Sequence, residues 1–392
     1  MKKIKIILIA HASMSFFLEG SDKTLEKFII DDWFSLVAQQ IKKFHPGIEV
    51  ECWIPERSFK EKKEFTYKGI KYRQFPTTIS PVYGLDFSVS LLKELKKEVK
   101  KSKREGYKLI IHFHEYHSLH GLAIASLFGK EDIIGQHHGG SWPFKHLKES
   151  KKKRWFFPFF ALSQFWENRV LKNIKLFYAL SPQEIDYLKK RAKNSKIRFQ
   201  TMGIDDFYFS PMKKEAARKK LGWPLDKKIV VNLGRMTHIK GIKYLIDAMK
   251  ELPEVDLKVI GYGPQLEEFK EYTKSKKIKN VEFLGAIFGK NKLPYLSAAD
   301  AFILPSSREG ASVSVMEALA RNVPIVTTDI AGMPLMIKDE KEGYVVPQRN
   351  SSEIAKAVKK ILKWENRNIK KSAEQYKWKR IVDETVKDYE EI

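Results

Sequence analysis

The second half of the chain contains a short segment whose residue types suit a phosphorylated ligand. In GRMTHIKG, residues 234–241, Gly234 ends an apolar run, and Arg235 and Lys240 follow it. A glycine lets the chain turn sharply off a strand end, and open α/β folds bind ligands at the carboxyl edge of the sheet. Two cations there suit a diphosphate, because a guanidinium can engage two oxygens at once. A solvated basic loop explains the same residues about equally well.

A second segment, SSREGASVSVMEALARNVPIV at 306–326, carries two carboxylates. Glu309 lies in a predicted loop and Glu317 in the predicted helix after it, so both can face one cleft. A carboxylate is a good acceptor for paired sugar hydroxyls. The structural alternative for Glu317 is a capping box with Ser314, three residues earlier. Backbone N–H groups at the start of this helix predict an anion site, formed by Gly310, Ala311 and Ser312.

Glycines also follow another predicted strand, in GYGP at 261–264. Gly261 and Gly263 permit a tight turn and the close approach of a ligand to the backbone. The alternative is a plain turn from strand to helix, with Pro264 at the first helical position. Taken alone, this motif indicates little.

Histidines are concentrated in the first half, after two predicted strands. A zinc site is one interpretation, but the spacing predicts no convergent set of ligands, so we predict none. A structural role for each histidine is the other alternative. Six of the ten histidines belong to this group: His112, His114, His117, His120, His137 and His138.

A basic and aromatic segment, residues 145–166, follows the histidines. Basic residues beside aromatic ones are typical of a contact with an anionic membrane surface, and we predict such a contact here. The alternative is a solvated basic loop before a core helix. The basic residues are Lys145, Lys148, Lys151, Lys152, Lys153 and Arg154, and the aromatic ones are Trp155, Phe156, Phe157, Phe159, Phe160, Phe165 and Trp166.

Short apolar runs alternate with amphipathic stretches along the whole chain, which predicts repeated βαβ units and parallel sheets. The predicted strands are 4–10, 48–54, 109–113, 133–137, 175–180, 229–233, 257–261, 281–284, 301–304 and 324–327. Predicted helices include 23–43, 85–101 and 242–252. MGIDDFYFSP at 202–211 is typical of an interdomain linker, and the last ~25 residues predict a helix. The fold class is therefore α/β, with two doubly wound domains and a cleft between them.

Composition sets the remaining limits. The 392 residues are 43% hydrophobic, which suits a folded chain of about two domains. The net charge is +25, with +17 on residues 1–200 and +8 on the rest, which predicts anionic partners. Cys52 is the single cysteine, so no intrachain disulfide forms, and a cytoplasmic location is expected. The apolar start is predicted to be a buried strand and not a signal peptide, and no run approaches the length of a membrane span.

Together these segments resemble the retaining GT-B glycosyltransferases of the family 4 type, which includes glycogen synthases and many mannosyl- and glucosyltransferases. The resemblance rests on G-R-x4-K-G at 234–241, G-x-G-P at 261–264 and E-x7-E at 309–317, in that order. It covers the whole chain but is specific only from about residue 200. It implies a domain of residues 1–202 on the acceptor side, a donor-binding domain of 203–370, and a closing helix in 371–392 that packs on the first domain.

The resemblance implies a role for each matching residue of the second half. Arg235 and Lys240 would hold the diphosphate of a nucleotide-sugar, and Glu317 its ribose hydroxyls. Glu309 would contact the donor sugar, with retention of the anomeric configuration. No metal or other cofactor is implied, because the cations and helix ends neutralise the leaving diphosphate. Donor-binding residues are thus Gly234, Arg235, Lys240, Gly261, Gly263, Glu309, Gly310, Ala311, Ser312 and Glu317.

In the first half, the resemblance implies that His138, before Gly139, lies beside the donor sugar, and that His114 lies near the acceptor. The catalytic set is then His138, Glu309, Arg235 and Lys240. The family's Gly-Gly pair after the first strand is missing. The loop HASMSFFLEGSDK has only Gly20, with His11 and Ser13 as possible substitutes.

The expected partners are a nucleotide-sugar donor, a glycan or lipid-linked acceptor and, through 145–166, an anionic membrane. An epimerase or phosphorylase of the same fold is one alternative, although the acidic and histidine placements differ and a phosphorylase needs a longer chain. A nucleic-acid-binding protein is another, suggested by the charge. That class needs a basic face with stacking aromatics, and no such motif is present, so we expect no nucleic-acid partner.

Overall fold

The structure is a computed structural model that describes residues 3–11, 13–17, 24–79, 86–138, 157–338, 340–364 and 368–392, without the side chains of 157–161 and 163. The chain divides into two compact units. The first consists of residues 1–200 and 381–392, and the second of residues 201–380.

The first unit is built on a sheet with the strand order β3-β4-β2-β1-β5-β6-β7-β8. All neighbouring strands are parallel except β3 and β4. The apolar run of β1 is buried along almost its whole length, as expected of a central parallel strand covered on both faces. The strands are β1 Ile4–Ile9, β2 Glu49–Glu56, β3 Lys63–Tyr67, β4 Ile70–Pro76, β5 Lys108–His114, β6 Asp132–Gln136, β7 Leu176–Ala179 and β8 Lys196–Phe199.

Helices of the first unit cover the sheet. The predicted helix over 23–43 is wrong in one respect, because it is divided at Asp32, whose side chain caps the second part by accepting from the Phe34 N–H at 3.2 Å. The helices are α1 Leu25–Asp31, α2 Trp33–Phe44, α3 Val89–Glu105, α4 Leu119–Leu127, α5 Phe157–Val170 and α6 Pro182–Arg191.

The second unit has a parallel sheet with the order β11-β10-β9-β12-β13-β14. This is the strand order of a Rossmann fold, in which the direction of winding reverses between the first and fourth strands, here β9 and β12. The strands are β9 Lys228–Leu233, β10 Val255–Ile260, β11 Val281–Gly285, β12 Ala301–Leu304, β13 Ile325–Thr328 and β14 Gly343–Val346. The helices are α7 Lys214–Leu221, α8 Ile242–Ala248, α9 Leu266–Ser275, α10 Lys292–Ala298, α11 Val313–Ala320, α12 Met333–Met336, α13 Ser351–Ile361 and α14 Lys370–Ala373.

The segment predicted as a linker, 202–211, is packed within the second unit. It contains a 3₁₀ turn, Asp206–Phe209, and the Arg321 guanidinium, at the end of α11, donates to the Tyr208 carbonyl at 2.9 Å. The last helix, α15 Trp378–Glu391, supplies Tyr389 to the first unit, where its hydroxyl is 2.7 Å from His112 Nδ1. Within the described residues, no helix has both the length and the apolar character of a membrane span.

Candidate functional site

Lys240 and Glu309 meet at the reversal point of the second sheet. The loops after β9 and β12 leave the same edge, because these strands are parallel neighbours, and the Ser307 N–H donates to the Ile239 carbonyl at 2.7 Å. Lys240 Nζ forms an ion pair with Glu309 Oε1, and the Ser306 hydroxyl donates to the same oxygen at 2.8 Å. The structure therefore joins two residues that lie 69 positions apart in sequence.

Arg235 and Gly234 lie at the end of β9, and the Arg235 side chain is exposed. Gly241 ends the loop in the left-handed region, at φ 67°. A Cβ at this position would lie 1.9 Å from the Pro305 carbonyl oxygen. The loop therefore needs a glycine at 241 to pack against the end of β12 and so to carry Lys240 to Glu309.

Glu317 lies inside α11 and is buried. Its Oε1 forms an ion pair with Lys292 Nζ, while Oε2 is buried and has no hydrogen-bond partner among the described residues. Burial raises the pKa of the Glu317 carboxyl, and Lys292 opposes that rise. The capping-box interpretation is wrong, because α11 is capped by Ser312 without a side-chain bond.

Gly310, Ala311 and Ser312 lie immediately before α11, and Ser312 is its N-cap residue. Ser312 is buried, and its hydroxyl is 3.0 Å from that of Ser314. The three residues therefore occupy the start of the helix that carries Glu317. Glu309 precedes them in the same loop.

Gly261 and Gly263 are adjacent to the backbone of the loop after β9. A Cβ on Gly261 would lie 1.8 Å from the Gly234 carbonyl oxygen, and one on Gly263 would lie 2.4 Å from that of Met236. Both residues also have positive φ, 148° and 157°. We expected these glycines to admit a ligand, whereas the close approach that the structure shows is between two loops.

In the first unit, His114 and His138 lie at the ends of the neighbouring strands β5 and β6. His114 Nδ1 is 3.0 Å from His138 Nε2, so one of the two nitrogens carries the shared hydrogen. The indole of Trp33 stacks on the His138 ring, and the centroid of the indole is 4.4 Å from the centroid of the His114 ring. Burial lowers the pKa of both histidines well below the ordinary value, so both are neutral at neutral pH.

The loop after β1 is held by Glu56 at the end of β2. Glu56 accepts hydrogen bonds from the Ser13 hydroxyl at 2.6 Å and from the Met14 N–H at 3.1 Å. Burial opposes ionisation of the Glu56 carboxyl, but hydrogen bonds from Ser13, Ser15 and Ser58 lower its pKa below the ordinary value. His11 lies just before this loop, and burial lowers its pKa. The amide of Met14 is therefore occupied by the protein's own carboxylate.

Three further histidines of this group contact carboxylates or a backbone N–H. His137 lies between Glu115 and Glu184, at 3.4 and 3.2 Å, and His117 Nδ1 is 3.0 Å from Glu167 Oε1. His120 Nε2 accepts from the Ser88 N–H at 2.9 Å. No group of three His, Cys, Asp or Glu side chains in the described part of the chain could hold a metal ion.

Two predictions concern residues outside the described part of the chain. Gly139 is not described, and of the segment 145–166 only α5 from residue 157 onward is described. Within α5, Leu162 and Phe165 are 67% and 57% exposed, and the Arg169 guanidinium lies 5.0 Å from the Phe165 ring. Trp166 instead packs against the core of the first unit.

Three residues of these sites were not predicted. Lys292 lies in KNKLPY, a basic stretch without a recognisable motif. It contacts Glu317 only in the folded chain. Tyr208 lies in the predicted linker, and its ring centroid is 5.4 Å from Lys292 Nζ. Burial, and then the Glu317 charge, raise the pKa of the Tyr208 hydroxyl. Trp33 lies in the predicted helix 23–43 and Tyr208 in the predicted linker 202–211, but neither residue was assigned a role.

Comparisons with known proteins agree with this architecture. Residues 213–378 match the sequence model of the family described as Glycosyl transferases group 1. An uncharacterized glycosyltransferase of Methanocaldococcus jannaschii is 32% identical over 183 residues, which cover 44% of this chain and 47% of that protein. A putative teichuronic acid biosynthesis glycosyltransferase of Bacillus subtilis is 33% identical over 146 residues, which cover 37% of this chain and 36% of that protein. The chain thus spans about half or less of the length of these relatives.

A solved structure extends the likeness to the whole fold. The Anabaena protein HepE, in complex with UDP, has a TM-score of 0.67 and 18% identity, and the match covers 99% of this chain and 100% of that one. At this identity the match establishes the fold alone. The chain therefore has the GT-B fold, with two Rossmann-like units, and its residues 213–378 are similar to the family described as Glycosyl transferases group 1.

Proposed function

We propose that the protein is a retaining glycosyltransferase that moves a sugar from a nucleotide-diphosphate-sugar to an acceptor hydroxyl. The observation that carries this proposal is the pairing of Lys240 with Glu309 at the reversal point of the second sheet, within the segment that matches the group 1 family. Ligands of doubly wound sheets bind at this point. HepE, which shares the fold, was solved with UDP.

In this proposal the second unit binds the donor. Arg235 and Lys240 neutralise the departing diphosphate, which lowers the barrier because its charge grows in the transition state. Glu309 accepts hydrogen bonds from the donor sugar, and Glu317 accepts from the ribose through Oε2. The backbone N–H groups of 310–312 add donors to the sugar and phosphate. The acceptor attacks the same face that the diphosphate leaves, so the configuration is retained.

The first unit supplies the acceptor side of the proposal. In this proposal His138 contacts the donor sugar and His114 contacts the acceptor. The acceptor is a glycan or a lipid-linked glycan, a class consistent with the teichuronic acid biosynthesis role in the name of the Bacillus relative. Neutral imidazoles can accept a proton from the attacking hydroxyl.

The test is the slow hydrolysis of nucleotide-sugars, followed by release of UDP, GDP or ADP with and without EDTA. We expect one donor to be hydrolysed at a rate that EDTA leaves unchanged, because two cations replace a divalent metal. Loss of activity in EDTA with recovery in magnesium or manganese would contradict metal independence. If no nucleotide-sugar binds or is hydrolysed, and the protein instead binds DNA in a salt-sensitive way, the enzyme proposal is wrong.

We further propose a peripheral contact of the first unit with an anionic membrane through 145–166, at the cytoplasmic face. It is supported by the exposure of Leu162 and Phe165 and by the excess of basic residues in the first 200 positions. Sedimentation with anionic and neutral vesicles at low and high salt tests it, since exposed charges are screened over ~10 Å at 0.1 M salt. Protein that stays in the supernatant with anionic vesicles at low salt would refute the contact.

A further inference from the structure

Trp33 occupies an unusual place for a large aromatic residue. It is the first residue of α2, directly after the capping Asp32. Its neighbour Phe34 is fully buried, whereas Trp33 is only partly buried and lies outside the main apolar cluster of the first unit. The ring contacts of Trp33 within the described residues are with Phe34, His114 and His138. Two of its three ring partners are thus the histidines at the strand ends.

The two histidines depend on each other and on exclusion of water. Both are neutral, so each ring has one hydrogen, and the 3.0 Å contact between His114 Nδ1 and His138 Nε2 uses one of these hydrogens. The second ring nitrogen of His114, Nε2, is buried without a partner among the described residues. Water that entered beside these rings would compete for their nitrogens and would stabilise the charged form of each histidine.

We propose that Trp33 is a positioning residue for His138. The indole of Trp33 stacks on the imidazole of His138 and holds it in the plane in which His138 Nε2 contacts His114 Nδ1. The ring nitrogen left for other contacts is then Nδ1. An indole suits this task because it is large, rigid and flat, and because it excludes water from one face of the imidazole. The inference rests on the proposed function, since it assigns Trp33 to the histidines of the acceptor side.

Several charged or titratable groups besides His114 also face His138, and they set its behaviour with pH. His11, His112 and His137 disfavour a positive charge on His138. Glu115 accepts a hydrogen bond from the His138 backbone N–H at 3.0 Å. Trp33→Ala leaves all of these groups in place and removes the ring that stacks on His138 and contacts His114. The variant therefore tests what the indole does for the two histidines.

The experiment compares Trp33→Ala and Trp33→Phe with the wild type, and uses Trp166→Phe as the matched control because Trp166 packs on the core. We expect Trp33→Ala to lower kcat for donor hydrolysis by about tenfold, as for other misplaced catalytic groups. Its affinity for the nucleoside diphosphate should not change. The acid limb of its pH profile should move to higher pH, because a hydrated His138 gains a proton more easily. Trp33→Phe and Trp166→Phe should stay near wild type.

A second readout needs no activity. The imidazole signals of His138 can be followed by NMR against pH and assigned by their loss in His138→Gln, and we expect their titration to move upward in Trp33→Ala. An unmoved titration, or a loss of kcat without a shift of the acid limb, would overturn the positioning role, because a purely structural residue gives that result. If the wild type binds no nucleoside diphosphate, the proposed function fails, yet the NMR titration still decides the role of Trp33.

Discussion

The two units hold their candidate functional groups by opposite physical means. In the second unit each carboxylate is paired with a lysine, Glu309 with Lys240 and Glu317 with Lys292. In the first unit His114 and His138 are neutral, and they are bonded to each other beneath an aromatic ring. Ion pairs hold groups that can meet a charged ligand, while burial and stacking hold groups that must stay uncharged.

This difference predicts how each site responds to substitution. Removal of one member of an ion pair leaves an uncompensated charge, which is costly when the remaining member is buried. Removal of the aromatic cover frees the His138 ring to turn and lets water change the protonation of both histidines. Substitutions in the second unit should therefore cause a large loss of ligand affinity and catalysis. Substitutions in the first unit should instead shift the pH dependence of the activity.

The largest expected effect is on Lys240. We expect Lys240→Ala to reduce donor hydrolysis by about 10²–10³-fold, the loss seen when one preorganised group that stabilises transition-state charge is removed. Lys243→Ala is the matched control, because Lys243 lies three residues further on and contacts the Tyr272 ring at 4.7 Å. Circular dichroism and melting curves check that both variants fold. Near wild-type turnover in folded Lys240→Ala would remove Lys240 from the donor site.

A smaller effect is expected at Lys292, which opposes the rise in the pKa of the Glu317 carboxyl. In Lys292→Met that pKa rises further, so Glu317 is protonated at higher pH and accepts ribose hydroxyls less well. Tyr208 and Asp205 also influence this carboxyl, and both stay in place. We expect nucleoside diphosphate affinity to fall by about tenfold at acidic pH and to recover as the pH rises, since loss of one charge-assisted contact costs ~1.5–3 kcal/mol.

Calorimetric titration with the diphosphate that binds the wild type measures this change. Lys290→Met is the control, because its ammonium lies over the Phe207 ring at 5.6 Å and not on Glu317. Lys292→Arg should restore most of the affinity. Equal pH dependence in Lys290→Met and Lys292→Met would refute the assigned role of Lys292.

Much of the fold could be predicted because the central strands are continuous apolar runs. The runs at 4–10 and 301–304 became β1 and β12 with little change of boundary. The strands that escaped prediction include β3, whose sequence KEFTY is mostly exposed and pairs antiparallel at the sheet edge. The break at Asp32 also escaped, because the apolar period continues through it while the carboxylate caps a new helix.

The candidate sites were predictable to different degrees for a physical reason. In the second unit the groups follow glycines and strand ends, so their type and position stand out in the sequence. Lys292 and Trp33 carry no such local mark, because neither follows a strand end that closes with a glycine, and Lys292 contacts Glu317, 25 positions away, only in the folded chain. Their contacts arise from packing, which short motifs do not encode.

The smallest expected effect concerns Asp32, which places Trp33 at the start of α2. Burial raises the pKa of the Asp32 carboxyl from 3.8 to about 6, against the backbone hydrogen bonds that it accepts. The native state therefore holds this proton more tightly than the unfolded chain. The stability that results is present below about pH 3.8 and is lost as the pH rises through about 6.

Asp32→Asn keeps an oxygen for the Phe34 N–H and removes the buried charge. The shift of the Asp32 pKa from 3.8 to about 6 corresponds to about 3 kcal/mol at most. Because Asp32 is partly exposed, we expect a gain of about 1 kcal/mol above pH 7 that vanishes near pH 4. Melting curves of the variant and of the wild type at pH 4 and pH 8 measure the difference. Asp31→Asn is the control, because it removes one carboxylate charge at the exposed neighbouring residue, which does not cap α2. If the prediction is right, the gain in stability of Asp32→Asn differs between the two pH values and is not matched by Asp31→Asn. A gain that is equal at both pH values, or is matched by the control, would mean that the first unit tolerates a buried charge as readily as the second. The contrast between the two units would then not hold.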